Sequence, residues 1–197
     1  LAHIGRPLAV SVPCGNFGNL TAGLIVQRMG LPIDQFVAAT NRNDVFPKYL
    51  ATGVFAPRPS AQTISNAMDV GNPSNFARVL ALYDGSVEAM RRDITSRSFS
   101  DDETRAAIKD VYEKYQYILD PHGAVGYLGL NAFLADHPNH VGVFFETAHP
   151  AKFPEVVEEV IGRSVDVPPR LEEFKHRTKD STLIPSDLQA LKEVLLP

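Results

Sequence analysis

A glycine-rich turn between two apolar runs constrains the fold of this 197-residue chain more than any other feature. Residues 8–12 are mostly apolar and a proline follows them, which predicts a short buried strand. Gly15 and Gly18 then allow a tight turn. Residues 20–29 are mostly apolar and are followed by a glycine and a proline, which predicts a buried helix with a defined end. The stretch therefore predicts a strand, a turn and a helix in direct succession.

The turn between this strand and helix is a candidate anion site. Its backbone N–H groups, in residues 15–19, would point into an open loop at a helix N-terminus, which attracts phosphate or carboxylate. The loop has no lysine and lacks the G-x-G-x-x-G spacing, so it is neither a P-loop nor a dinucleotide-binding motif. The side chains of Asn16 and Asn19 would assist the amides. An ordinary strand-to-helix turn, with glycines for geometry alone, is the alternative interpretation.

Two further apolar runs extend this unit into an α/β fold. Residues 35–41 predict a strand that completes a βαβ unit, with parallel pairing and a right-handed crossover, and residues 140–146 predict a third strand. Ligands collect at the carboxyl ends of strands in open α/β sheets. The polar residues 41–44 and 147–153 are therefore site candidates, although Asp44 could equally be the N-cap of the next helix.

The segment 61–78 is predicted to form the wall of a site. Its polar residues alternate with apolar ones such as Met68, which favour burial. Ser74 and Asn75 are predicted to cap a helix that runs to residue 82.

The remaining chain is predicted to be mainly helical. Ser100 and Glu103 form a capping box at the start of one helix. The predicted division is an α/β domain over residues 1–164 and a peripheral tail over residues 165–197. Helices are predicted at residues 87–94, 101–119, 154–161 and 186–196. Residues 120–127 are predicted to form a turn that leads into a helix to about residue 135, with His122 at the start of that helix.

Composition excludes several classes of partner. A net charge of -4 does not indicate the basic surface that nucleic-acid binding requires, and no apolar run is long enough to span a bilayer. No metal site emerges, because His137 and His140 have no accompanying cysteine or clustered carboxylates. Cys14 is the single cysteine, which is consistent with a reducing, cytoplasmic location. A helix N-terminus would lower its pKa, but a small buried residue is the favoured interpretation.

Five motifs, in order along most of the chain, resemble those of the threonine synthases, which are fold-type II pyridoxal 5'-phosphate (PLP) enzymes. The first motif alone is weak, but the ordered set is specific. The resemblance implies a mainly parallel sheet with helices on both faces, like the large domain of tryptophan synthase β. The motifs are SVPCGNFGN at 11–19, AATNRND at 38–44, TISNAMDVGNPSNFAR at 63–78, DPH at 120–122 and TAHPAKF at 147–153.

The resemblance also implies an activity and a cofactor. It implies a PLP-dependent lyase that converts O-phospho-L-homoserine and water to L-threonine and phosphate, the last step of threonine biosynthesis. Thr147 would offer its neutral hydroxyl to the pyridine nitrogen of the cofactor. That nitrogen would then stay largely unprotonated, which weakens the ring's capacity to withdraw electrons. The residues implied to hold the cofactor phosphate are Gly15, Asn16, Phe17, Gly18 and Asn19. The candidates on the substrate side are Asn41, Asp44, Ser65, Asn66, Asp69 and His122.

One departure from the family pattern limits this expectation. The family's Schiff-base lysine lies in a Phe-Lys-Asp context that no lysine here matches, and Lys152 belongs to the last motif. We therefore assign no catalytic residue and expect the C-terminal part of a longer enzyme, inactive without its N-terminal segment. The alternatives are a related PLP-dependent phospholyase acting on another phosphorylated amino alcohol and a non-catalytic α/β module that binds a phosphorylated ligand.

Overall fold

The computed structural model describes residues 5–175, 177–178 and 180–196. These residues form two compact units, one ending at Val165 and the other beginning at Asp166. The first unit contains a four-stranded sheet in which every neighbouring pair is parallel, so the predicted α/β class is confirmed. The strands, in the order β3-β2-β1-β4, are β1 (Leu8–Pro13), β2 (Gln35–Thr40), β3 (Ile94–Ser98) and β4 (Val141–Phe144).

Helices connect the strands of the first unit and also form the second unit. No described helix is both long and apolar enough to cross a membrane. In the first unit the helices are α1 (Gly18–Arg28), α2 (Val45–Thr52), α3 (Phe76–Leu82), α4 (Val87–Asp93), α5 (Asp101–Tyr115), α6 (Pro121–Asp136) and α7 (Pro154–Ile161), with 3-10 turns at Asn66–Met68 and Pro150–Lys152. In the second unit they are α8 (Pro169–Lys175) and α9 (Leu188–Leu195).

The sheet is covered on both faces because successive residues of its strands point in opposite directions. Val10 and Phe36 pack into one core with apolar residues of α1 to α4. Ala9 and Val37 pack on the other face against Leu130 of α6. Helices on both faces were predicted, and the structure confirms them.

The strand order creates a crevice at the end of β1. From β1 the chain adds β2 and then β3 on one side, whereas β4 returns to the opposite side of β1. The connections therefore diverge at the carboxyl ends of β1 and β4, which is where open α/β sheets bind ligands. The glycine-rich turn follows β1 and the TAHPAKF segment follows β4.

Several predicted element boundaries were wrong. Residues 94–98 form the edge strand β3, which was not predicted, because Thr95, Ser96 and Arg97 are polar and only Ile94 is fully buried. Helix α5 ends at Tyr115 rather than at residue 119, since Gln116 has a left-handed φ of 55°. This turn returns Leu119 to the core. Helix α8 was also not predicted.

Candidate functional site

The turn after β1 presents unpaired backbone N–H groups. The Cys14 N–H donates to the Ala39 oxygen over 2.7 Å, which extends the β1–β2 pairing into the turn. Helix α1 then begins at Gly18, and its N-cap residue Phe17 provides no side-chain cap. Among the described residues, the amides of residues 15–20 donate no hydrogen bond to the protein. The turn is therefore a set of donors at the positive end of a helix, as an anion site requires.

Two residues hold this turn in an unusual shape. Phe17 has a φ of 61°, a backbone conformation that residues other than glycine rarely adopt. Its buried ring packs against Phe46 with centroids 4.8 Å apart, which compensates for the strained backbone. At Gly15, a Cβ atom would lie only 2.7 Å from the Cα atom of Met68. A residue without a side chain is therefore required where the turn meets segment 61–78.

Asn16 ties the turn to the start of α3. Its Oδ1 atom accepts hydrogen bonds from the backbone N–H of Ser74 at 2.6 Å and from the Ser74 hydroxyl at 3.1 Å. The side chain of Asn75 donates to the Asn16 backbone oxygen over 2.8 Å. Of Ser74 and Asn75, which were predicted to cap α3, Asn75 is the N-cap residue. Its side chain makes no cap hydrogen bond, because its amide group bonds to the turn after β1 instead.

These elements enclose a cavity of about 200 Å³ at the carboxyl end of β1. No lysine, arginine, aspartate or glutamate lines it, so backbone amides dominate its electrostatics. All six residues predicted to bind the cofactor line this cavity, together with His122 from the substrate-side set. The lining residues are Pro13, Cys14, Gly15, Asn16, Phe17, Gly18, Asn19, Leu20, Ala67, Met68, His122 and Thr147.

The other substrate-side candidates do not line the cavity, and three of them bond to one another. The Asn41 side-chain amide donates to Asp69 Oδ1 over 2.8 Å and to the Ser65 hydroxyl over 3.1 Å. Asp69 also accepts bonds from the Thr63 hydroxyl, at 2.7 Å, and from Asn43, at 3.1 Å. This network fastens segment 61–70 to the end of β2 and so fixes the wall that Ala67 and Met68 present.

Asp44 and Asn66 lie at the margin of this network. Asp44 is the N-cap residue of α2, but its side chain forms no cap and instead pairs with Arg58 and, at 3.2 Å, with Lys48. Asn66 is exposed and begins the 3-10 turn that carries Ala67 into the cavity.

His122 connects the cavity wall to a buried acid. Its Nε2 atom accepts a hydrogen bond from the Ala67 N–H over 3.2 Å, so the ring proton lies on Nδ1. Nδ1 then donates to Asp120 Oδ1, which is 2.7 Å away. Asp120 is fully buried and also caps α6 by accepting from the His122 N–H at 2.8 Å. The histidine is therefore held at both ring nitrogens.

Cys14 is a packing residue in the structure. Its side chain is buried, and burial raises the pKa of its thiol, so the neighbouring helix N-terminus does not produce a thiolate.

Sequence reasoning did not assign several residues that shape the site. Ala67 and Met68 line the cavity, Asn43 belongs to the Asp69 network, and Glu146 lies against the first turn of α6. The alternation of polar and apolar residues in segment 61–78 predicted a wall there, without showing which residues face the cavity. No pattern in the sequence indicated the position of Glu146.

Comparison with known proteins agrees with this geometry. The family model described as "Pyridoxal-phosphate dependent enzyme" matches residues 1–143, and the one described as "Threonine synthase, C-terminal" matches residues 123–195. The threonine synthase of Escherichia coli (strain K12) is 39% identical over 189 residues, which are 96% of this chain and 43% of that protein. The threonine synthase of Haemophilus influenzae is 42% identical over 189 residues, 96% of this chain and 44% of its own length. The chain thus spans less than half the length of these relatives.

Solved structures show the same similarity. Threonine synthase from Escherichia coli superposes with a TM-score of 0.84 at 39% identity, covering 97% of this chain and 44% of that one. PLP-bound threonine synthase from Brucella melitensis has a TM-score of 0.82 at 32% identity, covering 98% and 46%. A threonine deaminase from Solanum lycopersicum, at 18% identity and a TM-score of 0.60 over 82% of this chain and 44% of its own, shares the fold. With a family model that matches residues 1–143, the chain belongs to the pyridoxal-phosphate dependent enzymes, and within them it is similar to the threonine synthases.

Proposed function

We propose that this chain is the cofactor-phosphate-binding C-terminal part of a threonine synthase. Together with an N-terminal part it would convert O-phospho-L-homoserine and water to L-threonine and phosphate. The observation that carries the proposal is the cavity at the ends of β1 and β4, which residues 15–20, with their unpaired amides, and Thr147 line together. The 39% sequence identity to the Escherichia coli threonine synthase, over 96% of this chain, supports the same assignment.

The residues around the cavity fit PLP. The amides of the turn after β1 would bind the phosphate group, assisted by the dipole of α1. Thr147 would hydrogen-bond the pyridine nitrogen, and because a hydroxyl is neutral it would not hold a proton on that nitrogen. Bound PLP supplies an electron sink for the carbon atoms of an amino-acid substrate.

The substrate-side residues would act mainly by fixing the wall of the site. Asn41, Ser65 and Asp69 bond to one another, so we assign them the role of holding segment 61–70 in position. His122 faces the cavity and is the one member of the predicted set placed to contact a ligand there. Direct contacts of Asp44 and Asn66 with O-phospho-L-homoserine, like a cytoplasmic location, remain predictions.

The partner that we propose is the N-terminal part of the same enzyme, since the relatives are more than twice as long as this chain. An apolar groove of about 380 Å³ between α1 and β4 fits this role. Val143 and Phe145 line it and are partly exposed. Asn19 lines both the groove and the cofactor cavity, so a segment docked in the groove would reach the cavity.

Binding and activity measurements test the proposal. The purified chain is expected to bind PLP reversibly, with inorganic phosphate as a competitor, and to release no phosphate from O-phospho-L-homoserine. Fusing the preceding part of the Escherichia coli threonine synthase to its N-terminus is expected to give phosphate release and threonine.

Each of the other outcomes has a distinct meaning. Threonine formation by the unfused chain would overturn the proposed dependence on an N-terminal part. A fusion that releases phosphate from a different phosphorylated amino alcohol, but not from O-phospho-L-homoserine, would favour the related phospholyase. Binding of phosphate without any binding of PLP would favour the non-catalytic module.

A further inference from the structure

Glu146 places a carboxyl group in a position that the cofactor site does not explain. It follows β4 and immediately precedes Thr147. A Cβ atom at Gly123 would lie 1.7 Å from Glu146 Oε2, so the carboxyl group packs on the first turn of α6 in space that only a glycine leaves. Asp120, the N-cap residue of α6, is fully buried, and its side chain interacts with that of Glu146.

Three of the four oxygens in these two carboxyl groups have no hydrogen-bond donor among the described residues. Oδ2 of Asp120 and both carboxyl oxygens of Glu146 are buried and accept no well-formed hydrogen bond from the described residues. Two buried, adjacent carboxylates would repel each other and would also leave acceptors unsatisfied. One proton removes the repulsion and gives Asp120 Oδ2 a donor, because a protonated carboxyl group is a donor and its neighbour is an acceptor.

We propose that Glu146 is a positioning residue: its protonated carboxyl group donates an O–H hydrogen bond to Asp120 and thereby holds His122 and Thr147 in the cavity wall. Asp120 uses its other oxygen to hold the His122 ring, and the ring holds the backbone of Ala67. Thr147 is attached directly to Glu146. The inference rests on the proposed cofactor site only for the role of Thr147.

The ionisation of the surrounding groups supports this arrangement. Burial, and then the hydrogen bond to Asp120 and its negative charge, raise the pKa of Glu146 to about 9, against the weaker effect of the Asp120 N–H. Burial acts to raise the pKa of Asp120, but hydrogen bonds from His122 and Glu146 together lower it. Tyr117 also faces the pair, and burial and both acidic charges raise its pKa. At neutral pH the pair therefore carries one proton, on Glu146.

The pH dependence of ligand binding follows from this proton. Below a pH of about 9 the wall is intact, and above it the pair becomes two carboxylates, so the binding-competent fraction falls. At a pH of about 10 that fraction is roughly one tenth, which lowers the apparent affinity about tenfold. Glu146→Gln keeps the size and the donor but cannot lose a proton, so its affinity is expected to lack this decline.

The experiment compares the whole chain with its Glu146→Gln and Glu146→Ala variants, using PLP as the probe between about pH 7 and about pH 10. The ratio of wild-type to Glu146→Gln affinity cancels the ionisation of the ligand itself, and it is expected to fall about tenfold over this range. Nitrogen NMR of the His122 ring is the second readout. A single tautomer with the proton on Nδ1 is expected in the wild type and in Glu146→Gln, and a mixture in Glu146→Ala.

The outcomes separate this inference from the proposed function. A constant affinity ratio would overturn it, and so would an unchanged His122 spectrum in a folded Glu146→Ala variant. If Glu146→Ala does not fold, the pH dependence of the ratio of PLP affinities between the wild type and Glu146→Gln still tests the inference. If no variant binds PLP, the proposed cofactor site is wrong. The His122 spectrum recorded above and below about pH 9 then tests the shared proton, and a spectrum that matches that of Glu146→Gln throughout would overturn it.

Discussion

Gly15 is a point of close contact between the turn after β1 and segment 61–78. In Gly15→Ala the new methyl group would lie 2.7 Å from the Met68 Cα atom, and a backbone atom cannot move aside as a flexible side chain does. We expect the turn to shift and its amides to lose alignment with a bound phosphate. Losing one or two charge-assisted hydrogen bonds corresponds to a fall in affinity of about tenfold or more. Competition between inorganic phosphate and PLP would measure it.

Gly18→Ala controls for the general effect of adding a methyl group to the same turn. Its nearest neighbour would be the Asn75 side-chain nitrogen at 3.9 Å, an ordinary contact distance. The thermal midpoint of this variant is expected to match the wild type. Wild-type phosphate affinity in Gly15→Ala would show that the turn and Met68 are not tightly packed.

The positions of single polar residues could be predicted from the sequence, but their hydrogen-bond partners could not. The motifs placed Asn41, Ser65 and Asp69 near the site, and the structure brings them together, but as partners of one another. Whether a polar side chain faces a ligand or a neighbour depends on donors and acceptors that are distant in sequence. The Asn41–Asp69 bond joins residues on different segments, and no local pattern specifies it.

The capping box of α5 is a local feature that the sequence did predict. Ser100 accepts from the Glu103 N–H over 3.2 Å, and Glu103 accepts in return from the Ser100 N–H over 2.8 Å. Ser100→Ala removes the cap of a helix whose apolar face packs in the core, and it is expected to lower the free energy of unfolding by about 1 kcal/mol. Urea denaturation would measure the change.

Glu103→Gln is the matched control for this cap. Its side-chain oxygen can still accept from the Ser100 N–H, so the variant is expected to be less destabilised than Ser100→Ala. Equal losses in the two variants would show that the charge of Glu103 contributes as much to stability as the hydrogen bond to the Ser100 hydroxyl.

Elements with both local signals and a buried face were predicted well, and others were not. Helix α7 has the predicted bounds, Pro154–Ile161, since a proline begins it and a glycine with a φ of 70° ends it. Strand β3 has neither a repeating apolar pattern nor a turn residue at its start. It pairs with β2 alone, so its stability comes from the backbone hydrogen bonds of a neighbour that lies far away in the sequence.

The groove between α1 and β4 gives the isolated chain an exposed apolar surface. Val143 of β4 lines this groove and is 42% exposed. We expect the chain to bind an apolar fluorescent dye there, and Val143→Lys to reduce the signal severalfold by placing a charge in the groove.

Val54→Lys is the control, because Val54 is 66% exposed and does not line the groove. This variant is expected to bind the dye as the wild type does. Equal signals from all three proteins would place the dye elsewhere and remove the support that the groove gives to an N-terminal partner.

The strand order determines when the parts of the cavity can come together during synthesis of the chain. Strand β1 and the turn that follows it leave the ribosome before β4, and β1 can pair with β2 soon afterwards, whereas Thr147 and His122 emerge only in the later part of the first unit. Pairings between such distant segments form slowly. The cavity is therefore incomplete while the segments between β1 and β4 are being synthesised, and we expect a ligand to be bound there only after β4 has joined the sheet beside β1.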